Sequence, residues 1–172
     1  MRRLERAKQT YETFAGKHPY AATLGEAAVF FAAKYGVQRL GLPIGHGRKD
    51  RPSRRNFIEN HPAIATGLVT AVAPVAEELV FRELPARMME KRGIELESNL
   101  AKRVKLGVAA VFAASHAGPD AIPVTHFVSG LNYSRLHERR GLSHSIMAHA
   151  ANNTMAAVAY ALLERKSSRL KR

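Results

Sequence analysis

The stretch "PAIATGLVTAVAPVAEELVF", Pro62 to Phe81, is an apolar run that ends on two adjacent carboxylates, Glu77 and Glu78. It is too long for one strand and lacks hairpin punctuation, so it reads as a helix, with Pro62 suited to a first turn. Working outward, the same reading applies to Ala21–Leu42, which carries Glu26, Lys34 and Arg39, to Val104–Ala117 and to Leu142–Leu163. Ala121–Tyr133 forms a shorter piece between the last two. The expected fold class is all-α. A bilayer core asks for about 20 mostly apolar residues in a helix, and only Pro62–Phe81 and Leu142–Leu163 have that length.

Composition pulls the other way. Mean hydropathy is −0.22, low for a membrane protein. The 172 residues suit one domain, and 27 Lys plus Arg against 14 Asp plus Glu give a formal charge of +13. That excess suits nucleic acid, anionic lipid or solubility equally. The absence of cysteine excludes disulfides and Cys-ligated zinc or iron–sulfur centres.

Residues 1–20 read as a basic amphipathic segment, with Leu4, Ala7, Tyr11 and Phe14 at helical spacing. They contain no apolar h-region, so a cleaved secretory signal is not expected. Either an anionic membrane or the domain itself could receive that face. Residues 21–165 form the expected helical core and 166–172 a basic tail. The connectors Gly45–Asn56, Glu90–Lys105 and Arg135–Gly141 are all basic, so alternate loops do not differ in Lys and Arg content and topology stays open. No internal repeat is evident.

Neighbours on a helix differ by about 100° in direction, so Glu77 and Glu78 have different jobs. Glu78 and Arg82, four apart with the acid first, favour a same-face ion pair. Glu77 then faces the apolar side with Ala73 and Phe81, where burial makes a carboxylate a better base. Two further clusters follow: His116 four after Phe112, and His149 with Asn153 at four-residue spacing, His144 preceding and Asn152 pointing aside. Polar groups inside Ala-rich helices are costly unless partnered. Pointing Glu77, His116, His149 and Asn153 at one another around a small polar cavity is the least costly arrangement. It also assembles a base, its imidazole partner and two oxyanion donors.

In order and spacing, "EELVFR" (77–82), "FAASH" (112–116) and "HAANN" (149–153) resemble the three motifs EExxxR, FxxxH and HxxxN of the CAAX-processing and bacteriocin-processing (CPBP, or Abi) intramembrane proteases. The resemblance runs over roughly Ile64–Leu163 and includes the Gly-containing segment that leads into the last motif. It implies a multi-helix membrane-embedded bundle in the cell membrane, acting on a peptide or protein substrate among membrane lipid. Glu77 would activate water with His116, Glu78 and Arg82 would support the site, and His149 with Asn153 would form the oxyanion hole. Two features stand out against the family pattern or the helix itself. Glu83 follows the motif arginine where a glycine is usual, and Pro74 could bend the helix near the site.

The family has been described as both metal-dependent and metal-independent. Zinc on Glu77, His116 and His149 is the metal-dependent form, but no HExxH helix is present and a carboxylate base with oxyanion donors suffices, so no cofactor is favoured. His46, His61, His126, His137 and His144 read as surface or supporting residues, His126 being nearest the site. The competing readings are a non-catalytic scaffold or immunity-type protein of the same fold, and a soluble basic helical protein binding nucleic acid. Scattered basic residues and 7% aromatics disfavour the last.

Overall fold

The structure, a computed structural model, describes residues 2–39, 60–117 and 124–170. Among them the chain is helical, with no strand. The helices are α1 (Arg2–Lys17), α2 (Pro19–Arg39), α3 (Pro62–Lys91), α4 (Asn99–Ser115), α5 (Val124–Arg140) and α6 (Leu142–Leu170). The apolar runs therefore under-read the helices. α3 continues ten residues past Phe81, α4 starts at Asn99 on a Ser98 cap whose hydroxyl accepts from Ala101 N–H at 3.1 Å, and most of the expected connector Arg135–Gly141 is helix. The connector Gly45–Asn56, with His46, and residues 40–42, 121–123 and 171–172 lie outside the described residues.

Two short turns fix the path of the chain. Gly93 (φ 64°) follows α3, and Gly141 (φ 87°) joins α5 to α6. Both sit in the left-handed region that glycine enters without a Cβ penalty.

α5 packs on α4 and on α6, α2 packs on α6, and α3 runs along α6 before touching α4 and α5 around Leu79–Glu83. The buried apolar residues are mostly small: Ala22, Ala27, Ala101, Ala109, Ala113 and Ala148, with Phe112, Tyr133 and Leu136 as the large ones. Small residues let helix axes approach closely where lipid offers no hydrophobic drive. The closest approach is at Gly130, where an added Cβ would lie 3.3 Å from the Ala109 Cβ and 3.3 Å from Phe112 Cδ1. Gly130→Ala should cost about 1–3 kcal/mol and Gly130→Leu should give no folded protein. Thermal unfolding in detergent checks both.

α3 is the element that speaks to the membrane. Ile64, Leu68, Val72, Val75 and Leu79 follow one another at spacings of three and four, and all are exposed, as are Val80, Leu84 and Met88. Only 17% of its apolar window is buried inside the protein, so most of this face is left uncovered. Among the described residues it is the one helix long and apolar enough to cross a membrane. α6 has the length that its apolar run suggested, but its His and Asn residues lower its hydropathy.

Two prolines shape α3. Its backbone widens to π-helical turns at Leu68–Val72 and Leu79–Glu83, shortly before Pro74 and Pro85. In the first turn the Ala73 N–H reaches back five residues to Leu68 O. The next donor in that register would be Pro74, which has no N–H, so the Val69 carbonyl loses its helical partner. Asn153 Nδ2 donates to Val69 O at 2.9 Å and satisfies it from α6. The spacing recurs: Leu-Val, four residues, Pro at 68–74 and again at 79–85. This short repeat corrects the expectation of no internal repeat.

α1 and α2 are clasped to the end of α5. Arg140 donates to Thr23 Oγ1 at 2.8 Å, to Glu26 Oε1 at 3.0 Å and to the Tyr11 hydroxyl at 3.2 Å, while Tyr11 donates to Glu26. Burial, reinforced by the Glu26 carboxylate, holds the Tyr11 phenol above its ordinary range. Glu26, one of three ionisable residues in the first apolar run, thus has a structural partner.

Candidate active site

α3, α4 and α6 bring the three motifs to one cleft of about 230 Å³, lined by Glu77, Phe112, His116, His149, Asn152 and Asn153 among others. The two carboxylates behave differently, but not in the way helix geometry alone suggests. Glu78 is the fully buried one, with a side chain 0% exposed, whereas Glu77 is 26% exposed and opens into the cleft. The reason is the neighbourhood. Glu78 points into the α3–α5–α6 contact, where Arg82 Nε stands 3.5 Å from Oε2 and His149 Nδ1 stands 2.9 Å from Oε1. With Glu78 ionised, the His149 ring donates from Nδ1, so Glu78 both pairs with Arg82 and orients the histidine.

Arg82 is held on three sides. Its Nη2 donates to the Gly130 carbonyl at 3.2 Å, and its guanidinium lies 4.5 Å from the centroid of Phe112 and 5.6 Å from that of Tyr133. Phe112, 1% exposed, is the hub: its ring also meets those of Phe81 (5.3 Å), His116 (4.6 Å) and His149 (5.9 Å, edge-on). Tyr133 stacks on the other side of His149 at 4.5 Å and 17°. The imidazole is thereby fixed by two rings and one carboxylate.

Glu77 Oε2 sits between two imidazoles, 3.7 Å from His116 Nε2 and 3.6 Å from His149 Nε2, and is a buried acceptor with no hydrogen-bond partner within the protein. His116 is not inside its helix as the apolar run suggested. It is the residue after α4, at the C-cap, and its Nδ1 is 2.8 Å from the Phe112 carbonyl and 3.1 Å from Ser115 Oγ. Nδ1–H donating to that carbonyl leaves Nε2 as an acceptor facing Glu77. At 3.7 Å the two atoms are too far apart for a strong direct bond, and the gap is one that a bridging water would close.

Asn153 sits on the rim with its amide on Val69 O. Asn152, expected to point aside, is instead 5% exposed and lines the cleft, its Nδ2 donating to Ala148 O at 3.2 Å. His126 stacks on His116 at 4.7 Å and 14°. His144 is buried against Tyr20 and away from the cleft, at a centroid distance of 4.5 Å. His61 lies exposed just ahead of α3. Glu83, the residue that stands in place of the usual glycine, reaches His137 Nε2 at 2.8 Å and Arg87 Nε at 2.6 Å, so its charge is answered on both sides. Lys34, Ser129 and Tyr133 also line the cleft and were not singled out as site residues; Lys34 was visible as a charge in an apolar run. Among the described residues, no group of three or more His, Asp or Glu side chains is placed to hold one metal ion.

A family model described as type II CAAX prenyl endopeptidase, Rce1-like, matches residues 59–155, more than half of the chain and all three motifs. The chain belongs to this Rce1-like family. Neither a curated protein nor a solved structure matches it. Rce1-like proteins are membrane proteins of the CAAX protease class, so this family member is a peptidase-class hydrolase whose relatives process peptide or protein substrates at membranes.

Proposed function

We propose that the protein is an intramembrane endopeptidase of the cell membrane that hydrolyses a peptide bond near the membrane surface, with Glu77 as base. The observation that carries this reading is the position of Glu77 Oε2 between His116 and His149, above a Glu78–Arg82 pair that orients His149. A water in that gap donates one hydrogen to Glu77 and one to His116 Nε2. As its oxygen bonds to the scissile carbonyl carbon, Glu77 takes its proton.

The carbonyl oxygen then carries the negative charge. The second N–H of Asn153 and a proton on His149 Nε2 stabilise it. With Nδ1 donating to Glu78, His149 Nε2 is the ring atom that faces the cleft, and it is this atom that would carry the proton turned to the oxyanion. Glu77 next delivers its proton to the leaving nitrogen, the C–N bond breaks, and the remaining proton of the attacking water passes by way of His116 Nε2 to the amine, so that a carboxylate and an ammonium depart.

The α3 face of exposed Ile64, Leu68, Val72 and Val75 supports lodging this bundle in lipid, with the cleft opening from its interior. The test is incubation of the detergent-purified chain in H₂¹⁸O with peptides ending in CAAX-type sequences, prenylated and unprenylated. Single-turnover cleavage should place one ¹⁸O in each new C-terminal carboxylate and should survive 1,10-phenanthroline. A pure chain that cleaves none of them, while remaining folded, favours the non-catalytic scaffold.

A further inference from the structure

Of the three ionisable residues in the α2 run, Glu26 is held by Arg140, and Arg39 is the last residue of the helix. Lys34 is different. It lines the catalytic cleft from α2, half-buried, and His126 lines the same cleft. Among the described residues it makes no ion pair or hydrogen bond. An ammonium placed in a cleft of an apolar helical bundle without an acceptor is costly, and none of the steps above uses it. Glu77, His116 and the His126 ring that stacks on it line the same cleft as Lys34.

We infer that Lys34 is the anion-binding residue of the substrate cleft and pairs with a carboxylate on the bound peptide. Geometry favours this role over a direct part in the chemistry. Glu77 is flanked by His116 and His149, and its ion-pair contacts are with those two rings and not with Lys34. A peptide whose scissile bond lies at Glu77 must extend along the cleft, and Lys34 is a lining residue that it can meet there. The carboxylate can be the chain's own C-terminus or an acidic side chain near it, since both present the same two oxygens. The inference rests on the endopeptidase reading for the direction of the peptide, but not for the binding itself.

The experiment uses the full-length chain in detergent with Glu77→Gln, so that bound peptide is not consumed. A fluorescein-labelled apolar octapeptide is prepared in three forms: free C-terminal carboxylate, C-terminal carboxamide, and carboxamide with one Asp near the end. A charge-assisted bond in a shielded cleft predicts about tenfold or greater tightening of at least one anionic form over the neutral one. The form that tightens identifies the source of the carboxylate. Adding Lys34→Met should bring the ratio to about one, while Lys34→Arg should keep most of it.

Equal binding of all three forms overturns the inference, as does a ratio that survives Lys34→Met. If Lys34 acted on the catalytic groups instead, the substitution would lower cleavage of every form alike and leave the ratio intact. With Glu77 restored, a chain that binds the anionic form tenfold tighter yet cleaves nothing sinks the endopeptidase reading and spares Lys34. Cleavage with no carboxylate preference does the reverse.

Discussion

Glu77→Gln should lower kcat/KM for peptide hydrolysis by about a thousandfold or more. Gln fills the same volume and keeps an oxygen toward the cleft, but it cannot accept the proton of an attacking water. Its cost to the fold should be small, because the side chain is 26% exposed and its Oε2 stands 3.6–3.7 Å from the two imidazoles, too long for strong direct bonds. Thermal unfolding should therefore move by only a few degrees while activity disappears. Glu77→Asp, which retracts the carboxylate by one methylene, should retain a small measurable fraction. Activity of the Gln variant within tenfold of wild type would remove Glu77 from the mechanism.

Arg82→Ala should instead destabilise the protein, by about 3–5 kcal/mol, or roughly 10 °C in unfolding midpoint. Glu78 is 0% exposed and would be left as a buried charge, and the Gly130 carbonyl and the face of Phe112 would both lose their cation. Lys is not a rescue, since an ammonium cannot serve Glu78 and Gly130 O while lying flat over Phe112. The paired change Glu78→Gln with Arg82→Met is expected to recover much of the stability, because both charges leave together. It should not recover activity, because His149 would no longer have an anion on Nδ1. Detergent unfolding curves read beside cleavage rates separate these two outcomes.

These two residues also show how far sequence reaches. The Glu78–Arg82 pair is legible because i,i+4 spacing is a local property. Which carboxylate is buried is not local: it depends on α5 and α6 covering Glu78, and on two π turns that each shift the face of α3. The same limit explains His116, whose place at the C-cap of α4 is set by where that helix stops, and Asn152, whose burial is set by the cleft it lines. Low mean hydropathy hid the lipid-like face of α3, since basic residues elsewhere dilute an exposed stripe that only the packed structure displays. Lys34 lies outside the three motifs, and only the packing of α2 on α6 brings it to the cleft. Glu83, a departure from the family pattern, is accommodated by His137 on α5, a partner 54 residues away in sequence.

The central claim is that Glu77 and His116 act on one water. It is tested by kcat/KM for Glu77→Gln, His116→Ala and the double variant on the same peptide. If they serve one step, the double variant should be no slower than Glu77→Gln alone, because the second loss removes help that the first has already made useless. Losses that multiply, each variant contributing its full factor in the double, would show two independent contributions and contradict the shared-water site.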